Sequence, residues 1–170
     1  AVFGCGPIGL GAIALAQASG AATITAFDQT DGRAQLAKQL GATHSYNSTS
    51  ISNAEQIHLI EEVTNGWGAD VVIEAAGSAL NTMPVIEAAL APGATVVYLG
   101  RTGEKAPVNL DVLVSKAARI VGARGHAGYG IYPYIIGMMA SGTLDLKPMI
   151  TSTAPLHDYA AAFEQSKRRE

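Results

Sequence analysis

Short apolar runs alternate along this chain with longer segments of helix-like composition. The runs are rich in β-branched residues and predict buried strands, whereas the longer segments predict helices. One helix is predicted to end at Gly41, because glycine adopts most readily the left-handed conformation that follows a helix. Another opens with Ser52 and Glu55 at the spacing of a capping box. The predicted strands cover 1–3, 23–28, 45–46, 70–74, 95–99 and 119–123, and the predicted helices cover 7–19, 33–40, 52–65, 80–90, 131–141 and 156–166, with a turn at 91–93.

This order of elements indicates one domain of the α/β class. Apolar strands that alternate with helices form parallel sheets with both faces covered. Two successive βαβαβ halves predict a doubly wound six-stranded parallel sheet, the Rossmann fold, with strand order 3-2-1-4-5-6. No linker divides the sequence, so we expect residues 1–170 to form a single domain. The chain opens in an apolar strand without a methionine, and we therefore expect a truncated N-terminus.

Composition narrows the classes of function. The 170 residues are 48% hydrophobic and 15% charged, with a formal net charge of −3, which gives no basic surface for nucleic acid or an anionic membrane. No apolar stretch reaches the roughly 18 residues that a membrane-spanning helix needs. The single cysteine, Cys5, excludes an internal disulfide and a cysteine-rich zinc site in this chain, and it fits a reducing, cytoplasmic location. Neither nucleic acid nor a membrane is therefore expected as a partner.

Gly4, Gly6 and Gly9 form a G-x-G-x-x-G pattern between the first predicted strand and the first predicted helix. In this context Gly4 permits a tight turn, Gly6 lets the backbone approach a pyrophosphate, and Gly9 lets the helix pack closely on the strands. Pro7 suits the first helical position, and the free N–H groups that follow, beginning with Ile8, suit a phosphate. The loop therefore predicts a dinucleotide site, with a tight strand–helix turn that binds nothing as the alternative.

Asp28 closes the second predicted strand about 20 residues after Gly9, where a ribose-binding acid is expected. Its carboxylate can accept hydrogen bonds from ribose hydroxyls, and it would repel a 2′-phosphate by about 4 kcal/mol per unit charge at about 4 Å. We therefore expect NAD rather than NADP. Arg33 leaves an alternative open, since it could contact the ribose or, in an NADP enzyme, the phosphate. The alternative for Asp28 is a cap on the following helix.

Five segments carry a family resemblance: VFGCGPIGL at 2–10, LGA at 40–42, GADVVIEAAG at 68–77, LAPGA at 90–94 and GTLDLKPMIT at 142–151. In this order and spacing they resemble the zinc-containing alcohol dehydrogenases of the medium-chain dehydrogenase/reductase family. They are nearest to its sorbitol, threonine and butanediol dehydrogenase branch. A glycine loop alone is shared by many families, but the full series is not, and it covers essentially the whole chain.

The resemblance implies a cofactor-binding domain of an NAD-dependent enzyme that moves hydride between an alcohol or polyol and the nicotinamide. It places Arg33 against the adenosine ribose. Three loops beyond the carboxyl ends of the strands would hold the cofactor, as the switch-point rule for open α/β sheets also suggests. These are Ala75, Ala76 and Gly77 after the fourth strand, Leu99, Gly100 and Arg101 after the fifth, and Ala123, Arg124 and Gly125 after the sixth.

The family's catalytic domain precedes this one and carries the zinc ligands and the proton relay. The resemblance therefore implies zinc only in the full-length protein, with no catalytic residue and no metal ligand in this chain. Family members pair the sixth strand across a two-fold axis, which implies a homodimer or homotetramer through the edge near 119–124. The alternative is that residues 110–114 or the C-terminal helices cover this edge within one subunit.

Other functions are kept as alternatives. A zinc-free quinone or enone reductase of the same superfamily would share these segments, and only sequence before Ala1 would distinguish it. A non-enzymatic nucleotide-sensing module would need a partner surface or a DNA-binding appendage. The sequence has no basic patch that supports either. A methyltransferase also has a glycine-rich loop and an acid after its second strand, but Gly9 and the match through Thr151 argue against it. The four histidines are scattered, and His126 alone falls in a predicted cofactor-side loop.

Overall fold

A six-stranded parallel sheet forms the centre of the protein. The computed structural model describes residues 1–101, 103, 105–123, 125, 128 and 130–167. Within these residues the strands are β1 (Val2–Phe3), β2 (Thr25–Asp28), β3 (His44–Asn47), β4 (Ala69–Glu74), β5 (Leu90–Tyr98) and β6 (Arg119–Gly122). All neighbouring pairs are parallel, in the order β3-β2-β1-β4-β5-β6. The predicted doubly wound Rossmann sheet is therefore confirmed.

Helices cover both faces of the sheet. They are α1 (Pro7–Ala18), α2 (Asp31–Gln39), α3 (Asn53–Val63), α4 (Ala79–Ala88), α5 (Leu110–Lys116), α6 (Ile131–Ala140) and α7 (Tyr159–Lys167), with single 3₁₀ turns at Lys147–Met149 and Leu156–Asp158. Side chains of α3, α4 and α5 pack in one apolar cluster, and those of α1, α2 and α6 pack in the other. In the part of the chain that the structure describes, no helix has the length and apolar character to cross a bilayer.

The strands supply both clusters because successive side chains of a strand point to opposite faces. Val2 pairs with Ala26 and Phe3 with Phe27 across β1 and β2. The first pair lies in the α1 cluster and the second in the α3 cluster. Phe27 is 2% exposed and stacks on Phe3 with ring centroids 5.1 Å apart. Burial of a phenylalanine of this kind stabilises the fold by about 1.5–3 kcal/mol.

Two predicted helix ends have the expected local chemistry. Gly41 follows the last residue of the α2 turn with φ of 112°, a conformation that suits glycine. At the start of α3 the Ser52 hydroxyl accepts a hydrogen bond from the backbone N–H of Glu55 at 3.2 Å. This bond satisfies one of the N–H groups that a helix start leaves without a partner. Both predictions are confirmed.

Two local features differ from the sequence prediction. The turn predicted at 91–93 is wrong, because these residues belong to β5, and Leu90, placed in the preceding helix, pairs with Ala69 as the first residue of that strand. The register between β4 and β5 shifts between this pair and Val71↔Thr95, and Gly93 with φ of 77° absorbs the extra residues. Helix α5 was not predicted; the Asn109 side chain caps it by accepting from the Asp111 N–H at 3.1 Å.

Candidate functional site

A cleft of about 670 Å³ opens at the carboxyl ends of β1, β2, β3 and β4. The strand order reverses between β1 and β4, and ligands of open α/β sheets bind at such a switch point. Seven of the predicted site residues line the cleft: Gly4, Gly6, Asp28, Arg33, Ala75, Ala76 and Gly77. Residues that are far apart in the sequence thus meet in one place.

The first and third glycines of the loop are required by close backbone contacts. Gly4 has φ of 91°, and a Cβ there would lie 2.6 Å from the backbone nitrogen of Ala76. A Cβ on Gly9 would lie 2.9 Å from the carbonyl carbon of Gly4 and closer still to its oxygen. Gly6 differs, because a Cβ there would meet no atom of the described residues within 4 Å. The packing of the described part of the fold therefore does not require a glycine at this position.

The N-terminus of α1 meets the cleft without a side-chain cap. Pro7 occupies the first turn and has no N–H to satisfy, and the first helical bond runs from Leu10 N–H to Gly6 C=O at 2.9 Å. Ile8 is 59% exposed. The first-turn N–H groups, together with the partial positive charge at a helix start, are available to an anion. This end of the cleft can therefore hold a phosphate group.

Asp28 joins the end of β2 to the glycine loop. It is 7% exposed, and its Oδ2 accepts a hydrogen bond from the Cys5 N–H at 2.7 Å. Its Oδ1 accepts from the N–H of Thr30 at 3.0 Å and from the Thr30 hydroxyl at 3.1 Å. The Asp28 carbonyl accepts from Ser48 N–H at 2.7 Å, which ties down the loop after β3. The following helix begins after Thr30, so Asp28 does not cap it.

Cys5 of the glycine loop is fully buried, and the pKa of its thiol reflects the charges around the loop. Burial, followed by the nearby Asp28 carboxylate, raises the pKa of this thiol to about 12, and Arg33 opposes the shift. Arg33 is half-buried and lines the same cleft. A cation and a carboxylate therefore lie at the end of β2, where either one can contact a ribose.

The predicted loops after β4 and β5 lie against each other. The Glu74 carbonyl accepts from Leu99 N–H at 2.9 Å and from Gly100 N–H at 2.8 Å. A Cβ on Gly100 would overlap the Gly77 nitrogen and the Glu74 Oε2 atom. The loop after β5 therefore packs against the 75–77 loop. Among the described residues that line the cleft, none comes from this loop, which contains Leu99, Gly100 and Arg101.

The predicted loop after β6 is described only in part. Ala123 is exposed and donates its N–H to the Tyr98 carbonyl at 3.1 Å, which continues the pairing of β6 with β5. Gly125 is also exposed. Arg124 and His126 lie outside the described residues. The role predicted for this loop therefore stays a prediction.

Polar residues outside the predicted site form much of the cleft wall. They lie after β2 and β3 and in the first turns of α3 and α4: Gln29, Thr30, Ser48, Thr49, Asn53, Gln56, Ser78, Asn81 and Thr82. No motif marks them, and the available signal was their position just beyond predicted strand ends. Glu74 is fully buried behind this wall; its Oε1 accepts from the Thr82 hydroxyl at 3.3 Å, and its Oε2 has no hydrogen-bond partner among the described residues.

Comparisons with known proteins agree with this geometry. A family model described as zinc-binding dehydrogenase matches residues 7–141. Scyllo-inosose 3-dehydrogenase of Thermotoga maritima is 35% identical over 161 residues, which cover 92% of this chain and 40% of that protein. L-threonine 3-dehydrogenase of Bacillus licheniformis is 34% identical over 171 residues, which cover 99% of this chain and 48% of that protein.

A solved protein from Thermotoga maritima has the same fold, with a TM-score of 0.91 and 32% identity. The match covers 98% of this chain and 42% of the solved chain. This chain thus spans less than half the length of each of these three relatives.

Proposed function

The chain belongs to the zinc-binding dehydrogenase family, and from this premise we propose that it is the NAD(H)-binding domain of a zinc-dependent alcohol or polyol dehydrogenase. The relatives named scyllo-inosose and L-threonine 3-dehydrogenase support an alcohol-bearing substrate. One observation carries the proposal. The Asp28 carboxylate accepts from the N–H of Cys5 at 2.7 Å, which fixes the ribose-binding acid and the glycine loop as one unit beside the cleft.

In this proposal the pyrophosphate lies over Gly6 and the start of α1. The uncapped N–H groups there and the open space at Gly6 support this placement. The adenosine ribose lies at Asp28, where Arg33 borders the cleft. The nicotinamide half extends past Gly77 toward the loops after β5 and β6. Those loops hold its carboxamide through backbone groups.

The proposed preference for NAD over NADP follows from Asp28. Its two oxygens accept from three donors of Cys5 and Thr30, and an ionised carboxylate has about four acceptor positions, so it can still accept from a ribose hydroxyl. A 2′-phosphate would instead be repelled by about 4 kcal/mol per unit charge at about 4 Å. Arg33 offsets part of this repulsion, but it does not occupy the end of the strand.

The chain's part in the reaction is to bind and orient the cofactor. When bound, the nicotinamide supplies the carbon that accepts or donates hydride. The described residues hold no group of three metal ligands and do not fit a zinc site. We propose that residues 1–170 form one cofactor-binding domain and that zinc and the proton relay belong to a catalytic domain of the full-length protein. We also propose a cytoplasmic location, which a free, buried Cys5 supports.

Isothermal titration calorimetry of the 170-residue chain tests this function. NADH and ADP-ribose should bind, and NADPH should bind at least about tenfold more weakly than NADH because of the repulsion at Asp28. A panel of alcohols with NAD and added Zn²⁺ should give no turnover. If neither NADH nor ADP-ribose binds, the cofactor assignment is refuted. Zinc-dependent oxidation of an alcohol by this chain alone would refute the placement of catalysis outside it.

We further propose that two copies pair through β6. This strand lies at the sheet edge and bonds only to β5 within the described residues, and Val121 is 44% exposed. An edge of this kind presents backbone groups that a second strand can pair with. Light scattering over a concentration series should find a dimer that Val121→Lys weakens. Val114→Lys, on the 80% exposed Val114 of α5, is the matched control, and a monomer at all concentrations would refute the pairing.

A further inference from the structure

Glu74 is a fully buried acid at the carboxyl end of β4, one of the central strands. Its Oε1 atom accepts from the Thr82 hydroxyl at 3.3 Å and from the Ser78 N–H at 3.5 Å, and both contacts are longer than typical hydrogen bonds. Its Oε2 atom accepts no hydrogen bond from the described residues, and no cationic side chain among them forms an ion pair with the carboxylate. Most of the acceptor capacity of this carboxylate is therefore unused.

A buried charge of this kind is unfavourable unless an opposite charge or a metal ion pairs with it, because it has lost the water that would hydrate it. The unused Oε2 atom of Glu74 faces the two loops beside the cleft. A Cβ on Gly100 would overlap both this atom and the Gly77 nitrogen, so the two atoms are close neighbours. Gly77 itself lines the cleft. The carboxylate therefore lies directly behind the 75–77 loop, where its charge can act on a group held in the cleft.

A negative charge at this position distinguishes the two forms of a nicotinamide cofactor. In the proposed function, on which this inference rests, the nicotinamide half of the dinucleotide extends past Gly77. The nicotinamide ring carries a positive charge in NAD⁺ and no charge in NADH, whereas the adenosine and pyrophosphate parts are the same in both. A buried carboxylate near the ring attracts the first form and not the second, and solvent screens this attraction only weakly.

We propose that the Glu74 carboxylate stabilises bound NAD⁺ relative to bound NADH, and that the oxidised ring provides the positive charge that this buried acid lacks. Charge near the nicotinamide is one of the means by which a protein tunes such a cofactor. Two unit charges about 10 Å apart attract by the equivalent of roughly tenfold in affinity at an effective dielectric constant of about 20. The other charged residues lie elsewhere: Asp28 and Arg33 line the cleft beyond the end of β2, and Arg101 is exposed.

Titration calorimetry of the wild-type chain and of Glu74→Gln with NAD⁺, NADH and ADP-ribose tests this inference. The ratio of the Kd for NAD⁺ to the Kd for NADH should rise about fivefold to thirtyfold in Glu74→Gln, chiefly because NAD⁺ binds more weakly. ADP-ribose lacks the nicotinamide ring and should bind to the variant as it does to wild type. Glu87→Gln is the matched control: it removes a carboxylate near the other end of α4, whose Oε1 accepts from the Asn109 N–H at 2.8 Å, and it should leave the ratio unchanged.

Thermal stability without cofactor gives a second measurement. Because the buried carboxylate has no cation to pair with, Glu74→Gln and Glu74→Met, with side chains of similar length, should both keep Tm at or above that of wild type. A lower Tm in both variants, or equal weakening of NAD⁺, NADH and ADP-ribose, would show that Glu74 only holds the loops and would overturn the inference. An unchanged Kd ratio also overturns it but leaves the proposed function intact. If the wild type binds neither NADH nor ADP-ribose, the proposed function is refuted as well.

Discussion

Replacing Gly6, Gly9 or Gly11 by alanine adds one methyl group at or near the start of α1. The three variants distinguish effects on the stability of the fold from effects on ligand binding. Gly9→Ala places a Cβ 2.9 Å from the Gly4 carbonyl carbon, where only a shift of α1 could relieve the overlap. Gly6→Ala meets no atom within 4 Å and keeps an allowed backbone, with φ of −73° and ψ of −177°. Gly11→Ala also meets nothing and lies inside the helix. These three changes add the same group in three environments.

The three variants should change the free energy of unfolding in different directions. Overpacking costs about 1–3 kcal/mol and sometimes more, so Gly9→Ala should lower the free energy of unfolding by about 2 kcal/mol after the gain in helix propensity. For a domain of this size that lowers Tm by about 4–8 °C. Gly11→Ala should raise Tm by about 2–4 °C, since alanine is favoured over glycine by about 1 kcal/mol inside a helix. Gly6→Ala should leave Tm within about 2 °C of wild type.

Binding follows a different order. A methyl group on Gly6 holds the pyrophosphate away from the first-turn N–H groups, and each charge-assisted hydrogen bond lost costs about 1.5–3 kcal/mol, so NADH affinity should fall at least about tenfold. Gly11→Ala should bind NADH as wild type does. Differential scanning calorimetry gives the Tm values and titration calorimetry gives the affinities. Unchanged NADH affinity in Gly6→Ala, or an unchanged Tm in Gly9→Ala, would refute the separate roles assigned to these two glycines.

Four further predictions rest on individual residues. Asp28→Ser should narrow the ratio of NADH to NADPH affinity at least about tenfold, since it removes charge-assisted bonds to the ribose and the repulsion of phosphate; an unchanged ratio would contradict the assignment. Cys5, with a pKa of about 12, should react with iodoacetamide at pH 8 at least about a thousandfold more slowly in the folded than in the unfolded chain. Because the folded state raises this pKa from 9.0, stability should fall as pH rises above 9, as a urea titration at each pH would measure. Ser52→Ala should cost about 1 kcal/mol and lower Tm by about 2–4 °C, and an equal loss in Ser50→Ala would show that the cap is not the cause.

The sheet order could be predicted because each strand is a local apolar run and the rules for connecting such runs by helices are general. The segment 91–93 could not be predicted in the same way. Pro92 and Gly93 have the local chemistry of a turn, but pairing of Leu90 with Ala69 draws the segment into β5 as an irregular stretch of strand. Tertiary pairing overrides local preference there, and no window of sequence contains the partner strand.

The candidate site divides along the same line. The positions of Gly4, Gly6 and Asp28 beside the cleft could be predicted because backbone geometry at two adjacent strand ends leaves a fixed spacing in the sequence. Gln56 and Thr82 could not, because they reach the cleft from different helices and only the assembled sheet brings those helices together. Polar residues in a first helical turn are also common as solvent-exposed positions, so their type alone does not mark a site.

Asp28 shows why a fingerprint acid can be required before any ligand binds. A buried carboxylate is unfavourable unless it accepts hydrogen bonds, and here three donors from Cys5 and Thr30 satisfy it. The same bonds hold the glycine loop in the conformation that leaves the α1 N–H groups uncapped. Loss of NADH affinity in Asp28→Ser therefore combines a lost ribose contact with a less ordered loop. Asp28→Asn removes the charge that repels a 2′-phosphate and keeps one acceptor oxygen for the Cys5 N–H, but its amide nitrogen cannot accept from the Thr30 N–H. If NADPH affinity rises in Asp28→Asn while Tm stays near that of wild type, the preference for NAD comes from the charge of Asp28 and the Cys5 hydrogen bond is sufficient to order the loop.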